Sequence, residues 1–425
     1  MSRLATTELP IGLPLLVSIY NREGTLLLAD GQIITPEIRQ RLLDQNIEEV
    51  CWEGDGGLVA SPGPEEDSNP FGIDPAIIQK LDDMIIEGQL FVANSGEAVK
   101  SRLVLNGCHA YDRSQRNRLI EHHHNSAMAL DQAISDALRG RPPKANQLTT
   151  MTAMYLTELT ADCDHVLASA AEIAYEQGLV AHMLQTSILA MAMGIESDFD
   201  AEQVRLLGLC GLLHDWGMKR VPAELRDANR RLTAGEFVTI KRHPIRTLEL
   251  LQGIDGMSRL VPLVCYQVHE CPNGTGYPRG RKAASIHPLA HLLRVADAYV
   301  GMTLPRPHRE PLMAYAAMEC LIRGARDQIY DPGSVRCLLR VLGLFPIGSY
   351  VQLSDGTIGR VLRANRSEIG KPIVHRLIDG QGQNIAQSMA LVELQTASLN
   401  IQRALPSPKR SELSLTPELM ALGKH

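Results

Sequence analysis

An ionisable pair closes one of the most apolar stretches of this chain. The segment VRLLGLCGLL (residues 204–213) runs directly into His214-Asp215. A carboxylate ionised in such surroundings costs several kcal/mol if it stays unpaired. Asp297 poses the same problem in HLLRVADAYV, with apolar neighbours on nearly every side. Any fold that buries these segments must gather compensating cations, protons or metals around two carboxylates.

The pattern predicts helices as their carriers. Aromatic residues make up only 4% of the 425 residues, so Leu, Ile, Val, Ala and Met must build the core. That composition suits packed helices. Periodicity places them near 150–177, 180–194, 201–214, 233–252, 258–269, 287–302, 311–325 and 332–342. Thr233-Ala234-Gly235-Glu236 reads as a capping box opening the helix that carries His243, and Asp331-Pro332 opens the last helix.

The flanks read differently. Residues 1–53 form an expected α/β unit: strands in LPLLVSIY and TLLLA, a helix capped by Thr35 with Pro36 at its first position, then the strand EEVCWE. Residues 54–72 are a Gly-, Pro- and acid-rich linker. Residues 73–149 read as a helical connecting and regulatory region, broken at Arg141-Pro142-Pro143. It contains His122-His123-His124, which cannot share one helix face and are expected to be solvated or to face a partner. The helical unit spans 150–345. Asp355-Gly356 signals a hairpin in a small β unit at 346–400, and 401–425 read as a polar, disordered tail. The fold class is therefore mainly α, with a small α/β unit before it and a small β unit after it.

The net charge of −6 argues against a nucleic-acid polymer as partner. No uninterrupted apolar run of about 18 residues occurs, so no membrane span is expected. The first residues, MSRLATTELPIG, lack the pattern of a signal peptide. The eight cysteines form no CxxC pair and read as reduced, buried thiols of a cytoplasmic protein. Neither GxxxxGK[ST] nor GxGxxG occurs, which weakens P-loop and dinucleotide readings.

The candidate ligands are His182, His214, Asp215, His243, His269 and Asp297. Taken alone, His182 in LVAHMLQTSILAMAMG reads as a hydrogen-bonded core histidine. Five helical segments each delivering a His or Asp at an apolar face make a stronger pattern. Imidazole and carboxylate ligands suit iron, manganese or zinc. Two divalent metals ~3.5–4 Å apart activate a bridging water and clamp a phosphate for in-line displacement.

In order and spacing these residues resemble the HD-GYP phosphodiesterases, bacterial enzymes that hydrolyse cyclic di-GMP. The likeness covers about 170–345: the His182 helix, LLHDWG, Lys241-Arg242-His243-Pro244, His269-Glu270 followed by Asn273-Gly274-Thr275-Gly276-Tyr277-Pro278, Arg294-Val295-Ala296-Asp297, and Arg306-Pro307-His308-Arg309. It implies an HD-superfamily helical bundle and two divalent transition metals, with iron or manganese ahead of zinc. It implies that His182, His214, Asp215 and Asp297 hold one metal, and that Asp215, His243 and His269 hold the second. His214 and Asp215 form the catalytic core, and a metal-bound hydroxide attacks phosphorus. Lys219, Arg306 and Arg309 face substrate phosphates, and Gly274, Gly276 and Tyr277 shape the loop near the guanine or ribose. Cyclic di-GMP is the implied ligand. A diguanylate cyclase or other signalling protein is a further partner class, and a homodimer is a further assembly state.

The chain departs from the family pattern at several places. Val268 stands where a second histidine is usual, Met218 where a lysine is usual, and Asn273 and Val300 where acids are usual. Gly178 stands where three-metal members carry a glutamate. Two other readings therefore stay open. One is a degenerate module that binds cyclic di-GMP or a signalling partner without cleavage. The other is a phosphohydrolase acting on another nucleotide.

Overall fold

The structure is a computed structural model that describes residues 2–9, 15, 17–28, 34, 36–52, 96–173, 178–306, 309–386, 390–408 and 411–413. The expected linker at 54–72, the start of the connecting region, the Thr35 cap, Pro307-His308 and the last residues of the tail lie outside the described residues. The chain divides into two units, Met1–Gly72 and Ile73–His425.

In the first unit a four-stranded antiparallel sheet has the order β1-β4-β2-β3. Its strands are β1 (Ser2–Ala5), β2 (Ile19–Tyr20), β3 (Leu26–Leu28) and β4 (Glu49–Trp52), with α1 (Pro36–Asp44) between the last two. Asn21 closes the β2–β3 turn by accepting from the backbone of Glu23 and Thr25. Leu15, Ile19, Ile34, Val50 and Trp52 form its core. The sequence pattern did not point to β1, because its four residues alternate too briefly.

In the second unit the first α-helix among the described residues is α2 (Arg113–Leu138), capped by Asp112. The three adjacent histidines diverge as their spacing requires, but one departs from expectation. His123 faces the core at 2% exposure and hydrogen-bonds Tyr155 Oη at 3.1 Å. Only His124 of the three is exposed. Next comes α3 (Ala145–Ile173), whose helical path breaks at Asp162 (φ −157°, ψ 87°).

Helix α4 (Gly178–Glu196) is the centre of the unit. By length and composition it could cross a membrane, yet 83% of its apolar window is buried within the fold. It packs against α3, α5 (Ala201–Leu213), α10 (Pro288–Thr303) and α12 (Pro332–Leu342). Each fully buried Leu, Ile or Met there stabilises by ~1.5–3 kcal/mol. Ser187 Oγ donates to Gly208 O at 2.7 Å, tying α4 to α5 at close approach.

After α5 a 3-10 turn (Trp216–Arg220) leads through α6 (Ala223–Arg226) to α7 (Ala234–Lys241), α8 (His243–Leu251), α9 (Leu260–Gln267) and, beyond α10, α11 (Ala314–Arg326). The Thr233/Glu236 capping box is present, but it opens a helix that ends before His243. The expected 233–252 helix is two helices, and Pro244 in the first turn of α8 accounts for the break. Gly217 fixes how α8 sits. A Cβ there would fall 2.0 Å from His243 O, so only glycine lets the start of α8 touch the turn after α5.

The C-terminal sheet has the order β8-β7-β6-β5-β9. Its strands are β5 (Tyr350–Leu353), β6 (Ile358–Arg363), β7 (Ile373–Ile378), β8 (Leu391–Glu393) and β9 (Ile401–Leu405). The Asp355-Gly356 hairpin joins β5 to β6, with Gly356 at φ +83°. The tail expectation needs correction at its start. Residues 401–405 pair with β5, and Leu413 bridges Leu312. Backbone pairing with β5 holds this edge strand although Gln402 and Arg403 stay exposed, since an edge strand can keep polar residues in water.

The sheet joins the helices through a buried ion pair. Arg363, 3% exposed, donates from Nη1 and Nη2 to Asp162 Oδ1 and Oδ2 at 2.7 and 2.9 Å. Asp162 Oδ1 also accepts from His165 N at 3.1 Å, so the kink residue caps the second half of α3. Tyr111 stacks on His165 at 4.3 Å and lies under the Arg363 guanidinium. All eight cysteines are unpaired, and six are buried.

Candidate metal centre

Helix ends deliver most of the site. His214 is the C-cap of α5, Asp215 begins the 3-10 turn, His243 is the first residue of α8, and His269 follows α9. His182 and Asp297 project from within α4 and α10. Thr247 Oγ1 donates to His214 O and accepts from Gly217 N, locking the His214-Asp215 turn onto α8.

All six expected ligands converge. Asp215 stands between two groups of imidazoles. Its Oδ2 lies 3.7 Å from His182 Nε2 and 3.7 Å from His214 Nε2. Its Oδ1 lies 3.1 Å from His243 Nε2 and 3.8 Å from His269 Nε2. Ligand atoms of His182, His214 and Asp215 form one set within 4.8 Å of one another, and those of Asp215, His243 and His269 form another. Asp297 also spans both: Oδ1 is 3.0 Å from His182 Nε2 and 3.5 Å from His214 Nε2, while Oδ2 is 3.6 Å from His269 Nδ1. The family resemblance implies a place for Asp297 in the first set alone.

Tautomers follow from the outer partners. His214 Nδ1 faces Gly211 O at 2.9 Å, and His243 Nδ1 faces Ile240 O at 2.9 Å. Each Nδ1 then donates, which turns Nε2 into the site as the atom that could coordinate. Burial disfavours the charged carboxylates, but His214 and His243 hold Asp215 well below the usual range, and His182 and His214 do the same for Asp297. Burial pulls the His214 imidazole down, yet Asp215 and Asp297 push it up to about 9. Burial drives His269 down to about 4.

These residues fit divalent metals. His214 Nε2 and Asp215 Oδ1 are buried without a hydrogen-bond partner. Buried polar atoms are rarely left so. His243 Nε2 and His269 Nε2 meet at 2.8 Å. Donors on adjacent positions of one ion, with bonds of ~2.0–2.1 Å, come about that close.

The loop after His269 is built on a residue the motif reading passed over. Glu270 is fully buried and accepts from Arg279 N and Arg281 N, each at 2.7 Å. It is a fastener for the loop and faces no candidate ligand at hydrogen-bond distance. The signal was its own improbability: a carboxylate directly after an apolar helix. A Cβ on Gly276 would lie 2.2 Å from Cys271 N and 2.5 Å from His269 O. Glycine therefore lets the loop fold back so that Tyr277 stacks on His269, with ring centroids 4.9 Å apart. Gly274 supplies the positive φ of the preceding turn (+82°). Lys241, also passed over as a separate group, places Nζ 5.5 Å from the Tyr277 ring and 4.9 Å from the Phe237 ring.

The expected phosphate cations divide. Arg306 and Arg309 pair backbone to backbone, and Arg309 Nη2 donates to Gly301 O at 2.7 Å. Arg306 Nη2 is 2.8 Å from where a Gly301 Cβ would stand, and His182 Cε1 is 3.9 Å from that same point. Arg306 thus lies beside the first imidazole. Lys219 points elsewhere and ion-pairs Asp131 of α2 at 3.3 Å. Because α5 has ended, the 3-10 turn carries Lys219 outward, and it does not take the place left by Met218. Val268 is fully buried at the end of α9.

A family model described as HD domain matches residues 135–333. A cyclic di-GMP phosphodiesterase of Pseudomonas aeruginosa is 32% identical over 194 residues, 45% of this chain and 46% of that protein. A second cyclic di-GMP phosphodiesterase, from Borreliella burgdorferi, is 24% identical over 216 residues, covering 49% and 56% of the two chains. The chain spans about half the length of these curated relatives. A solved HDG"Y"P protein from Bdellovibrio bacteriovorus aligns over 80% of this chain and 99% of its own, at 18% identity and a TM-score of 0.40.

Proposed function

We propose that this chain, whose residues 135–333 are an HD domain of the HD-GYP type, is a metal-dependent phosphodiesterase that hydrolyses cyclic di-GMP in bacterial signalling. The observation that carries the reading is the placement of Asp215, one carboxylate oxygen toward His182 and His214 and the other toward His243 and His269.

In this reading His182, His214, Asp215 and Asp297 hold one divalent ion, and Asp215, His243 and His269 hold the second. Iron or manganese fits this nitrogen and oxygen set, and zinc is also compatible. Such a pair, when bound, activates water and offsets phosphate charge. The chain's own groups do the rest. His214 and His243 keep their protons on Nδ1, so Nε2 is free to coordinate. Arg306, beside His182, binds the scissile phosphate, and Arg309 braces the Arg306 turn against Gly301. Lys241 supplies positive charge near Tyr277, in place of a lysine at Met218. Gly274 and Gly276 shape the loop, and Tyr277 borders the guanine or ribose. The enzyme works in the cytoplasm. A diguanylate cyclase, which makes the substrate, is the partner class this reading names, and a homodimer is its assembly.

The test is incubation of purified protein with cyclic di-GMP and Mn2+ or Fe2+, with products separated by chromatography. Linear dinucleotide or GMP should form, and a chelator should stop it. Binding of cyclic di-GMP without any product would replace this reading with that of a binding module.

A further inference from the structure

A second concave site lies among α3, α4, α10 and the C-terminal sheet. It is a cleft of about 90 Å3 whose lining includes Ala168, Gln185, Tyr299, Ser349, Arg360 and Leu405. No candidate metal ligand lines it. A smaller cavity of about 30 Å3 shares Gln185 and Tyr299 and runs on between Ile188 and Leu342.

Two of its polar groups are orphaned. Gln185 is 8% exposed and Ser349 is 9% exposed, and neither Gln185 Oε1 nor Ser349 Oγ has a hydrogen-bond partner. An unmatched buried polar group costs ~1–3 kcal/mol. Two such groups on one cleft point to something that completes them.

The charged groups on the wall are already matched. Arg360 donates to Glu172 Oε1 at 2.7 Å and to Gly348 O at 3.2 Å. Glu172 also takes Arg116 at 3.3 Å, and Glu412 accepts from Ser407 N at 2.9 Å. What is left open is neutral, an amide and a hydroxyl on a mixed wall whose apolar part includes Ala168, Leu312 and Leu405. At ~10–15 Å3 per water, the volume suits roughly six to nine waters or an organic molecule of about that many heavy atoms.

We propose that this cleft is a binding seat for a small uncharged organic molecule with an aliphatic body and an amide or hydroxyl end. The end group meets Gln185 and Ser349, and the body lies against Ala168 and Leu405. The seat also touches both helices that pass through the metal centre. Gln185 follows His182 by one helical turn on α4, and Tyr299 lies two residues beyond Asp297 on α10. Occupancy therefore changes metal affinity, a consequence that rests on the metal reading above.

Isobutyramide, with about six heavy atoms, is a fitting probe. Saturation-transfer NMR on the full chain, without metal, should give a saturable signal in the range of about 1 mM. Gln185→Leu and Ser349→Ala should each weaken it about tenfold or more. Ala168→Leu, which fills the apolar end, should abolish it while the protein stays folded by circular dichroism. Isovalerate and isobutylamine, which carry charge, should bind more weakly. No saturable signal would mean that the cleft holds water only and would overturn the seat. An unchanged signal in the variants, or isovalerate binding as tightly, would overturn it too. Mn2+ titration with and without isobutyramide should show at least about a twofold shift. Binding with no shift overturns the coupling, and no Mn2+ binding at all overturns the metal reading while leaving the seat to its own test.

Discussion

His243 Nε2 and His269 Nε2 stand 2.8 Å apart on two different helix ends. His243 keeps its proton on Nδ1, facing Ile240 O, so its Nε2 brings a lone pair to that contact. Two lone pairs at that distance repel unless a proton or a cation is shared. Asp215 Oδ1, 3.1 Å from His243 Nε2, adds negative charge at the same spot.

Metal content should therefore depend on the ligand removed. Asp215→Asn should reduce bound Mn2+ from about two ions per chain to none, since Asp215 faces both sets. His243→Ala should leave about one. Inductively coupled plasma analysis of both variants is the check, and equal losses would argue against a shared carboxylate. Turnover should fall at least about 100-fold in both.

His123 should set an acid limit on stability outside the metal centre. Burial lowers its pKa to about 4, against 6.5 in the unfolded chain. Between these values the unfolded state binds the extra proton, so stability falls as pH drops through 6.5 toward 4. The loss from pH 7 to pH 5 is about 2 kcal/mol. Urea titrations at both pH values should show it in the native chain and show a smaller drop in His123→Phe.

Arg363→Met should cost about 3–5 kcal/mol, because it strands Asp162 as a buried unpaired carboxylate. The double change with Asp162→Asn should recover part of that loss. Thermal unfolding of the single and double variants measures the coupling, and strictly additive losses would count against it.

Gly276→Ala should disturb the metal centre from outside its ligand set. The added methyl meets Cys271 N and His269 O, so the loop must move and carry Tyr277 off the His269 ring. The expected result is Mn2+ affinity lower by about tenfold or more with little change in fold. Isothermal titration beside circular dichroism would reveal it, and native affinity would show that the loop tolerates the methyl.

Much of this site was legible because buried charge is conspicuous in sequence. Asp215 and Asp297 in apolar segments announced compensation, and each expected ligand reached the cluster. What the pattern could not give was direction. Lys219 and Met218 differ by one position, and only the early end of α5 decides that Lys219 leaves for Asp131. His123 turned inward because helix phase against α3 sets its face, and that needs a partner helix to define. Asp162 gave no sign at all. A helix interrupted by one extended residue still reads as continuous when the residues on both sides keep their period.

That interruption bears on where this protein can be cut. Asp162 lies inside the stretch matched as an HD domain, and its guanidinium partner lies 30 residues beyond that stretch, at Arg363. A fragment trimmed to residues 135–333 would inherit an acid without its counterion. The smallest autonomous piece is therefore larger than the homologous one, and the terminal sheet is part of the same folded unit.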